Sequence, residues 1–172
     1  MATIRVLGAD DAQAYQALRL RGLRESPTAF SSSYEEEVGR SAADVVARVT
    51  PAADGSKCAF GAFVDGALGG IVAFMRPLRP KLEHTSELVG MYVAPEQRRR
   101  RLGRALVDAV VEHARRQSGV EQIKLGVNAT NDAARRLYQA AGFVRYGVEP
   151  NAIRVDGRYY DEELYVLRLV DH

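Results

Sequence analysis

Between residues 84 and 128 the chain passes from an apolar, strand-like run, HTSELVGMYV, through Ala94-Pro95 into a helical pattern and out into a second strand-like run, EQIKLGVN. In the middle, Leu102, Ala105, Leu106, Ala109, Val110 and Ala114 recur at the spacing of one helix face for about four turns. Two strands joined through a helix lie parallel, and the crossover is right-handed. This unit requires a mixed sheet with helices on both faces.

The flanking segments fit the same plan. Residues 3 to 7 read as a short strand, and Asp10-Asp11 as the N-cap of a helix ending near Glu25-Ser26-Pro27. A weaker helical stretch covers Ala42 to Val49. KCAFGAFV and ALGGIVAFM are joined by Asp65-Gly66, the pairing that favours a type I′ hairpin. After the second strand of the crossover, Asn131-Asp132 opens a helix with Ala134, Leu137, Tyr138 and Ala141 on one face and Gly142 at its C′ position, and strands follow at about 143–148 and 164–170. The expected order is β-α-α-β-β-β-α-β-α-β-β, an α/β (α+β) fold in one domain, 1–172.

Charge sharpens the picture at one place. Lys plus Arg number 24 and Asp plus Glu 22, a net charge of only +2. Seven arginines nevertheless fall between Arg98 and Arg116, against Asp108 and Glu112. This is a patch on a near-neutral protein, which suits a small polyanion at least as well as a nucleic acid; no nucleic-acid partner is expected. No apolar run approaches the roughly 20 residues of a membrane span, and the acidic start does not resemble a signal peptide. The chain reads as soluble and cytoplasmic, with no membrane partner. A single cysteine, Cys58, excludes an internal disulfide and a multi-thiolate metal site, so no metal is expected. Cys58 lies in an alternating apolar run and reads as a small packed residue.

The segment VAPEQRRRRLGRAL places arginines and Gly103 at the amino end of a helix that follows a strand. Helix N-termini present free N–H groups and partial positive charge to phosphate oxygens, and arginines add charge-assisted bonds. The alternative is a solvated basic first turn. The segment lacks both the Gly-Lys-Ser/Thr ending of a nucleotide P-loop and GxGxxG, which disfavours ATP and dinucleotides.

ELVGMYVAPEQRRRRLGRAL resembles the acetyl-CoA-binding segment of the GNAT superfamily of acyl-CoA-dependent N-acetyltransferases, matching its pattern at Val93, Pro95, Arg98, Leu102, Gly103, Ala105 and Leu106. Arg101 stands where the pattern has its first glycine, and an arginine adopts positive φ at a cost. A second block, LGVNATNDAARRLYQAAGF, resembles the downstream strand and helix of the family, with Asn131, Ala134, Tyr138, Gly142 and Phe143 in pattern. The two blocks and the order of elements carry the resemblance over nearly the whole chain.

The resemblance implies an N-acetyltransferase that moves an acetyl group from acetyl-CoA, its cosubstrate, directly to a primary amine of a small molecule or peptide. It implies splayed central strands with pantetheine along the main chain of Met91, Tyr92 and Val93, and a pyrophosphate cradled by Arg98, Arg99, Arg100, Arg101, Leu102, Gly103, Arg104 and Ala105. Asn131 would contact the cofactor. Tyr138, a neutral phenol with an ordinary pKa near ~10, would protonate the departing thiolate; without the pattern it would read as a core aromatic. Glu87, six residues before Val93 and so on the side of Val89, Met91 and Val93 by the strand period, would be the general base, the alternatives being a water relay and a strand-end surface carboxylate. A backbone N–H near Val93 would hold the oxyanion. Acceptor-pocket candidates are Phe30, Tyr34, Glu35, Tyr159, Tyr160 and Asp161, in loops whose carboxylates and tyrosines suit a cationic amine; the Glu35-Glu36-Glu37 run reads equally as a solvated helix start. The rival function is a non-catalytic acyl-CoA-binding regulatory module of the same fold. The sequence leaves the oligomeric state open, with a homodimer paired through the late strands the arrangement that the resemblance suggests.

Overall fold

The computed structural model describes residues 1–170. Its strands are β1 (Ala2–Val6), β2 (Lys57–Val64), β3 (Ala67–Met75), β4 (Thr85–Val93), β5 (Gln122–Asn128), β6 (Val144–Val155) and β7 (Arg158–Arg168), and its helices α1 (Ala12–Glu25), α2 (Tyr34–Val38), α3 (Ala42–Val49), α4 (Leu102–Arg116) and α5 (Asp132–Ala140). The strands form one sheet in the order β1-β2-β3-β4-β5-β7-β6, antiparallel except where α4 carries the chain from β4 to its parallel neighbour β5. Helices cover both faces. α1 and α3 pack Tyr15, Leu18, Leu23, Val45 and Val49 on Ala59, Ile71 and Tyr92. On the opposite face Leu106, Val107, Val110 and Ala114 of α4, with Tyr138 of α5, meet Phe60, Val72, Phe74 and Ile123. Among the described residues no helix is long and apolar enough to cross a membrane.

The parallel ladder is short. Thr85, Ser86 and Glu87 pair with Gln122, Ile123 and Lys124, and the Ser86 hydroxyl donates to the Gln122 carbonyl at 3.0 Å. Beyond these pairs β4 stays with β3 as far as Val93, while β5 stays with β7 as far as Asn128, so the sheet opens between them. The cause lies in β4. Ile71 of β3 faces Tyr92 whereas Ala73 faces Val89, which leaves β4 one residue longer, and Gly90 takes φ +65° within the extra length. That is a β-bulge, and it bends the strand away from its parallel partner. Glycine enters the left-handed region without the steric cost that a Cβ imposes.

The bulge also reverses the alternation of side chains. Glu87 and Val89 share the α1 face with their partners Met75 and Ala73, and Tyr92 returns to that face, whereas Leu88, Met91 and Val93 pack on the α4 side. The expectation from the strand period that Glu87 lies on the side of Met91 and Val93 is therefore corrected: the period of two fails at Gly90.

Three further differences from the sequence reading have local causes. α2 is an additional helix, started by a capping box in which the Ser33 hydroxyl accepts from the Glu36 N–H and the Glu36 carboxylate accepts from the Ser33 N–H. Its Glu37 is not solvated, being 1% exposed. The last hairpin is longer than expected, because its turn is Asp156-Gly157, at φ +49° and +77°, and IRVDGRYYDEE is strand on both sides of it. Tyr159, Tyr160 and Asp161 thus lie on β7 and not in a loop. The Asp161 carboxylate accepts from the Asn151 N–H at 2.8 Å, which fixes an irregularity of β6. β6 forms an outer edge with Val144, Tyr146 and Val148 exposed.

Gly90→Ala is expected to cost about 1–2 kcal/mol in urea unfolding, the usual strain of an L-residue in the left-handed region. A Cβ there would meet only Arg19 Nη1, at an ordinary 3.5 Å, so the loss is conformational and not a clash. Unchanged stability would show that the bulge does not need glycine.

Candidate active site

The opened strands border a cleft of about 660 Å³ that passes from one face of the sheet to the other. This volume suits a small-molecule ligand. Leu88 to Met91 of β4 and Gly126 to Asn128 of β5 form its two edges, Asn131, Ala134 and Tyr138 line it from α5, and Tyr15, Arg19, Phe30 and Arg48 line it from the α1 and α3 side. Among the described residues no ladder partner stands between β4 after Glu87 and β5 after Lys124. Main-chain groups on those facing edges are therefore available to an extended ligand.

Tyr138 is locked in place by the residues around it. The Asn131 side chain accepts from the Ala134 N–H at 3.1 Å and so caps α5. Gly142, at φ +96°, reverses the chain so that the Phe143 N–H returns to the Tyr138 carbonyl at 3.0 Å, and the Phe143 ring sits edge-on to Tyr138 with centroids 5.9 Å apart. This is a Schellman-type ending with its apolar contact. Arg135 and Tyr165 both donate to the buried Glu163, which ties α5 to β7. Tyr138 itself is 5% exposed, and burial pushes its hydroxyl pKa above the ordinary value that the sequence reading assumed.

The arginine turn has the backbone of a phosphate cradle. Arg99 and Arg101 both adopt left-handed conformations, at φ +64° and +61°, and Arg101 is the N-cap residue of α4. Arg101 therefore takes the conformation expected of the glycine it replaces. Left-handed residues among right-handed or extended ones turn successive N–H groups inward as an anion-binding nest. Arg99, Arg100 and Arg101 are exposed. Two neighbours are engaged: Arg98 Nε donates to the Val93 carbonyl at 3.0 Å, and Arg104 bonds Asp108 at 2.8 Å and the Ala140 carbonyl at 2.9 Å, clipping α4 to α5. Gly103 permits that approach, since a Cβ there would lie 3.2 Å from Leu137.

Of the residues singled out in the sequence, the cleft gathers Met91, Asn131, Tyr138 and Phe30. Val93, the turn 98–104 and Ala105 lie beyond its lining. The Tyr92 side chain turns to the other face, where its hydroxyl donates to Glu25 and burial pushes its pKa up to about 12. Glu87 is exposed beside Met75, itself a lining residue. Tyr34 lies away from the cleft, under the Arg24 guanidinium at 3.9 Å from its ring, and Glu35, Tyr159 and Tyr160 do not line the cleft. Cys58 is 3% exposed with its thiol pKa pushed up by burial. His113 lies edge-on between Phe60 and Phe74 with a ring nitrogen 3.2 Å from the Gly55 carbonyl, a satisfied residue.

Sequence reading missed the polar half of the cleft. Glu37 receives Arg48 at 2.5 Å, Arg40 at 2.7 Å and Arg19 at 3.5 Å. Arg19 had a signal: it shares the inward face of α1 with Tyr15 and Leu23, where a charge is unusual. Asn128 of β5 was missed too; its Oδ1 accepts from the Thr130 N–H and hydroxyl, and its Nδ2 donates to the Thr28 carbonyl at 3.2 Å. Glu162 lines the cleft from β7, with its pKa raised by burial and by the charge of Glu149.

Solved structures share this architecture. An acetyltransferase of the GNAT family from Streptococcus pneumoniae superposes with a TM-score of 0.90 at 22% identity, over 99% of this chain and 100% of that one. The yncA structure from Salmonella typhimurium, solved with its cofactor acetyl-CoA, does so at 0.81 and 22%, over 100% and 96%. At such identity the likeness is one of fold. Residues 23–143 match the acetyltransferase (GNAT) family, and the chain belongs to that family. A mycothiol acetyltransferase from Thermobispora bispora is 46% identical over 57 residues, which are 33% of this chain and 19% of that protein. The chain matches about a fifth of the length of such curated relatives.

The Glu37 cluster sets a pH dependence. Burial opposes ionisation, but hydrogen bonds from Arg48 and Arg40 and the charge of Arg19 outweigh it and hold the carboxyl at about 2, below the ordinary 4.5. A depressed carboxyl pKa stabilises the fold above the ordinary value, and that stabilisation is lost as pH falls from about 4.5 towards 2. In urea unfolding Glu37→Gln is expected to lose about 3 kcal/mol at pH 7, with the gap to wild type closing through that window. A gap that does not change with pH would contradict the assignment.

Proposed function

We propose that the protein is an acetyl-CoA-dependent N-acetyltransferase, folded as one domain over residues 1–172, that transfers the acetyl group directly to a primary amine. The observation that carries this reading is the coincidence of strand edges without ladder partners among the described residues, a nest of left-handed arginines at the start of α4, and a buried tyrosine on the wall of the cleft. These features fit an extended thioester with a pyrophosphate at one end.

Acetyl-CoA supplies the acetyl thioester. The main chain of Met91 and Val93 holds the pantetheine arm, the N–H groups of residues 99–103 with the Arg99 to Arg101 side chains hold the pyrophosphate, and Asn131, which lines the cleft, contacts the cofactor. The oxyanion that develops at the carbonyl is met by a backbone N–H of the bulged segment. Tyr138 keeps its proton at neutral pH because burial disfavours the phenolate. It delivers that proton to the departing sulfur, and the amine proton leaves to a carboxylate, directly or through water. Glu162, within the cleft and with its proton affinity raised, suits that task better than the exposed Glu87, which stays a candidate from the rim.

Thiol release from acetyl-CoA across a panel of amines tests this reading. Tyr138→Phe should lower kcat by about 10²–10⁴-fold, the usual weight of a general acid, with little change in acetyl-CoA affinity. Arg100→Ala should weaken acetyl-CoA binding more than Arg115→Ala. Glu162→Gln should remove the acidic limb of the pH–rate profile, which lies above the ordinary carboxylate range because the folded pKa is raised; removal by Glu87→Gln instead would move the role to the rim. Saturable acetyl-CoA binding without thiol release would favour the non-catalytic acyl-CoA-binding module.

A further inference from the structure

Arg19 is a buried charged group that the proposed transfer leaves unused. It is 9% exposed and lines the cleft, yet its Nε is buried with no hydrogen-bond partner among the described residues. Its Nη2 lies 3.5 Å from Glu37, and its Nη1 reaches the bulge, 3.5 Å from where a Cβ on Gly90 would stand. A guanidinium donor kept from water and left unpaired is costly, so such a group points to a ligand that satisfies it.

The surrounding charge points to the sign of that ligand. One carboxylate, Glu37, serves Arg19, Arg40 and Arg48, so this cluster carries two more positive charges than negative ones. Arg48 lines the cleft, as does Lys57, whose ammonium donates to the neutral Ala47 carbonyl at 2.6 Å. A concave site with an excess of one sign gathers the opposite one, and guanidinium forks match carboxylates in shape as well as charge.

We infer that the acceptor is an amino carboxylate, its carboxylate held by Arg19 and Arg48 on the α1 and α3 side and its amine presented at the Gly90 bulge. This rests on the acetyltransfer reading and adds a carboxylate to the cationic amine expected from the sequence. Glu162, on the β7 side of the cleft, is the counterpart for the amine.

The test uses the full chain, acetyl-CoA, and matched acceptors: each L-amino acid, its carboxamide and the amine lacking the carboxyl group, such as L-methionine, L-methioninamide and 3-(methylthio)propylamine. For the best amino acid, kcat/KM is expected to exceed that of both counterparts by about 10-fold or more, the value of a charge-assisted pair. Arg19→Gln should bring that ratio to within about 2-fold and Arg19→Lys to an intermediate value, both retaining the acetyl-CoA-induced rise in melting temperature that reports a folded protein. Without turnover, the best amino acid should raise the melting temperature of wild type and not of Arg19→Gln, while its carboxamide does neither. Amines that match or outrun their amino acids, or a preference that survives Arg19→Gln, would overturn the inference. If acetyl-CoA neither stabilises the protein nor supports turnover, the acetyltransfer reading fails, and the melting shift with the amino acid still decides the anion subsite.

Discussion

Three residue pairs of parallel ladder, Thr85 to Glu87 against Gln122 to Lys124, join the two parts of the sheet, and the site depends on their ending there. Strand pairing satisfies backbone groups at little cost, so two adjacent strands separate only if something prevents them from continuing. Here it is the extra residue in β4 with Gly90 in a left-handed conformation. The bulge leaves main-chain groups on two facing edges, and it sends Tyr92 to the α1 face while Met91 and Val93 go to the α4 face. The same turn of chain that opens the cleft also decides what lines it.

The other elements hold that opening in shape. Arg21 of α1 makes a bidentate pair with Glu96 at 2.6 and 2.8 Å, and Tyr92 donates to Glu25, so the end of α1 is tied to the chain just after β4. Asn128 ties the end of β5 to the turn at Thr28. Glu37 gathers three arginines behind the cleft, a desolvated arrangement that breaking from one side makes costly. The two basic regions differ in kind. The turn at Arg98 to Arg101 is exposed and suits several phosphate charges, whereas Arg19 and Arg48 are drawn into a concavity where a single carboxylate is enough.

Most of the layout was legible in the sequence because it rests on periodicity and turn chemistry. The helix from Leu102, the Asp65-Gly66 hairpin and the Asn131 and Gly142 ends of α5 depend on local rules, and the structure has them. Tyr138 could be named from its pattern, but the rise in its pKa comes from burial that is made by distant residues. The face of Glu87 was misread because a bulge is a matter of register between strands, and an isolated glycine in a strand only hints at one. The cluster around Glu37 was hidden for a similar reason. Arg40 and Arg48 are separate surface-like arginines until α1, α2 and α3 pack together around Arg19, and only then does the run of three glutamates prove to bury its last member.

For the protein to act as proposed, the edges left open by the bulge, together with the turn before α4, must receive acetyl-CoA. Amide hydrogen exchange with and without saturating acetyl-CoA addresses it directly. Exchange is expected to slow at residues 88–93 and 99–103, with residues 144–148 of the outer strand unchanged. Acetyl-CoA binding that leaves exchange at residues 88–93 and 99–103 unaltered would place the thioester elsewhere and contradict the account.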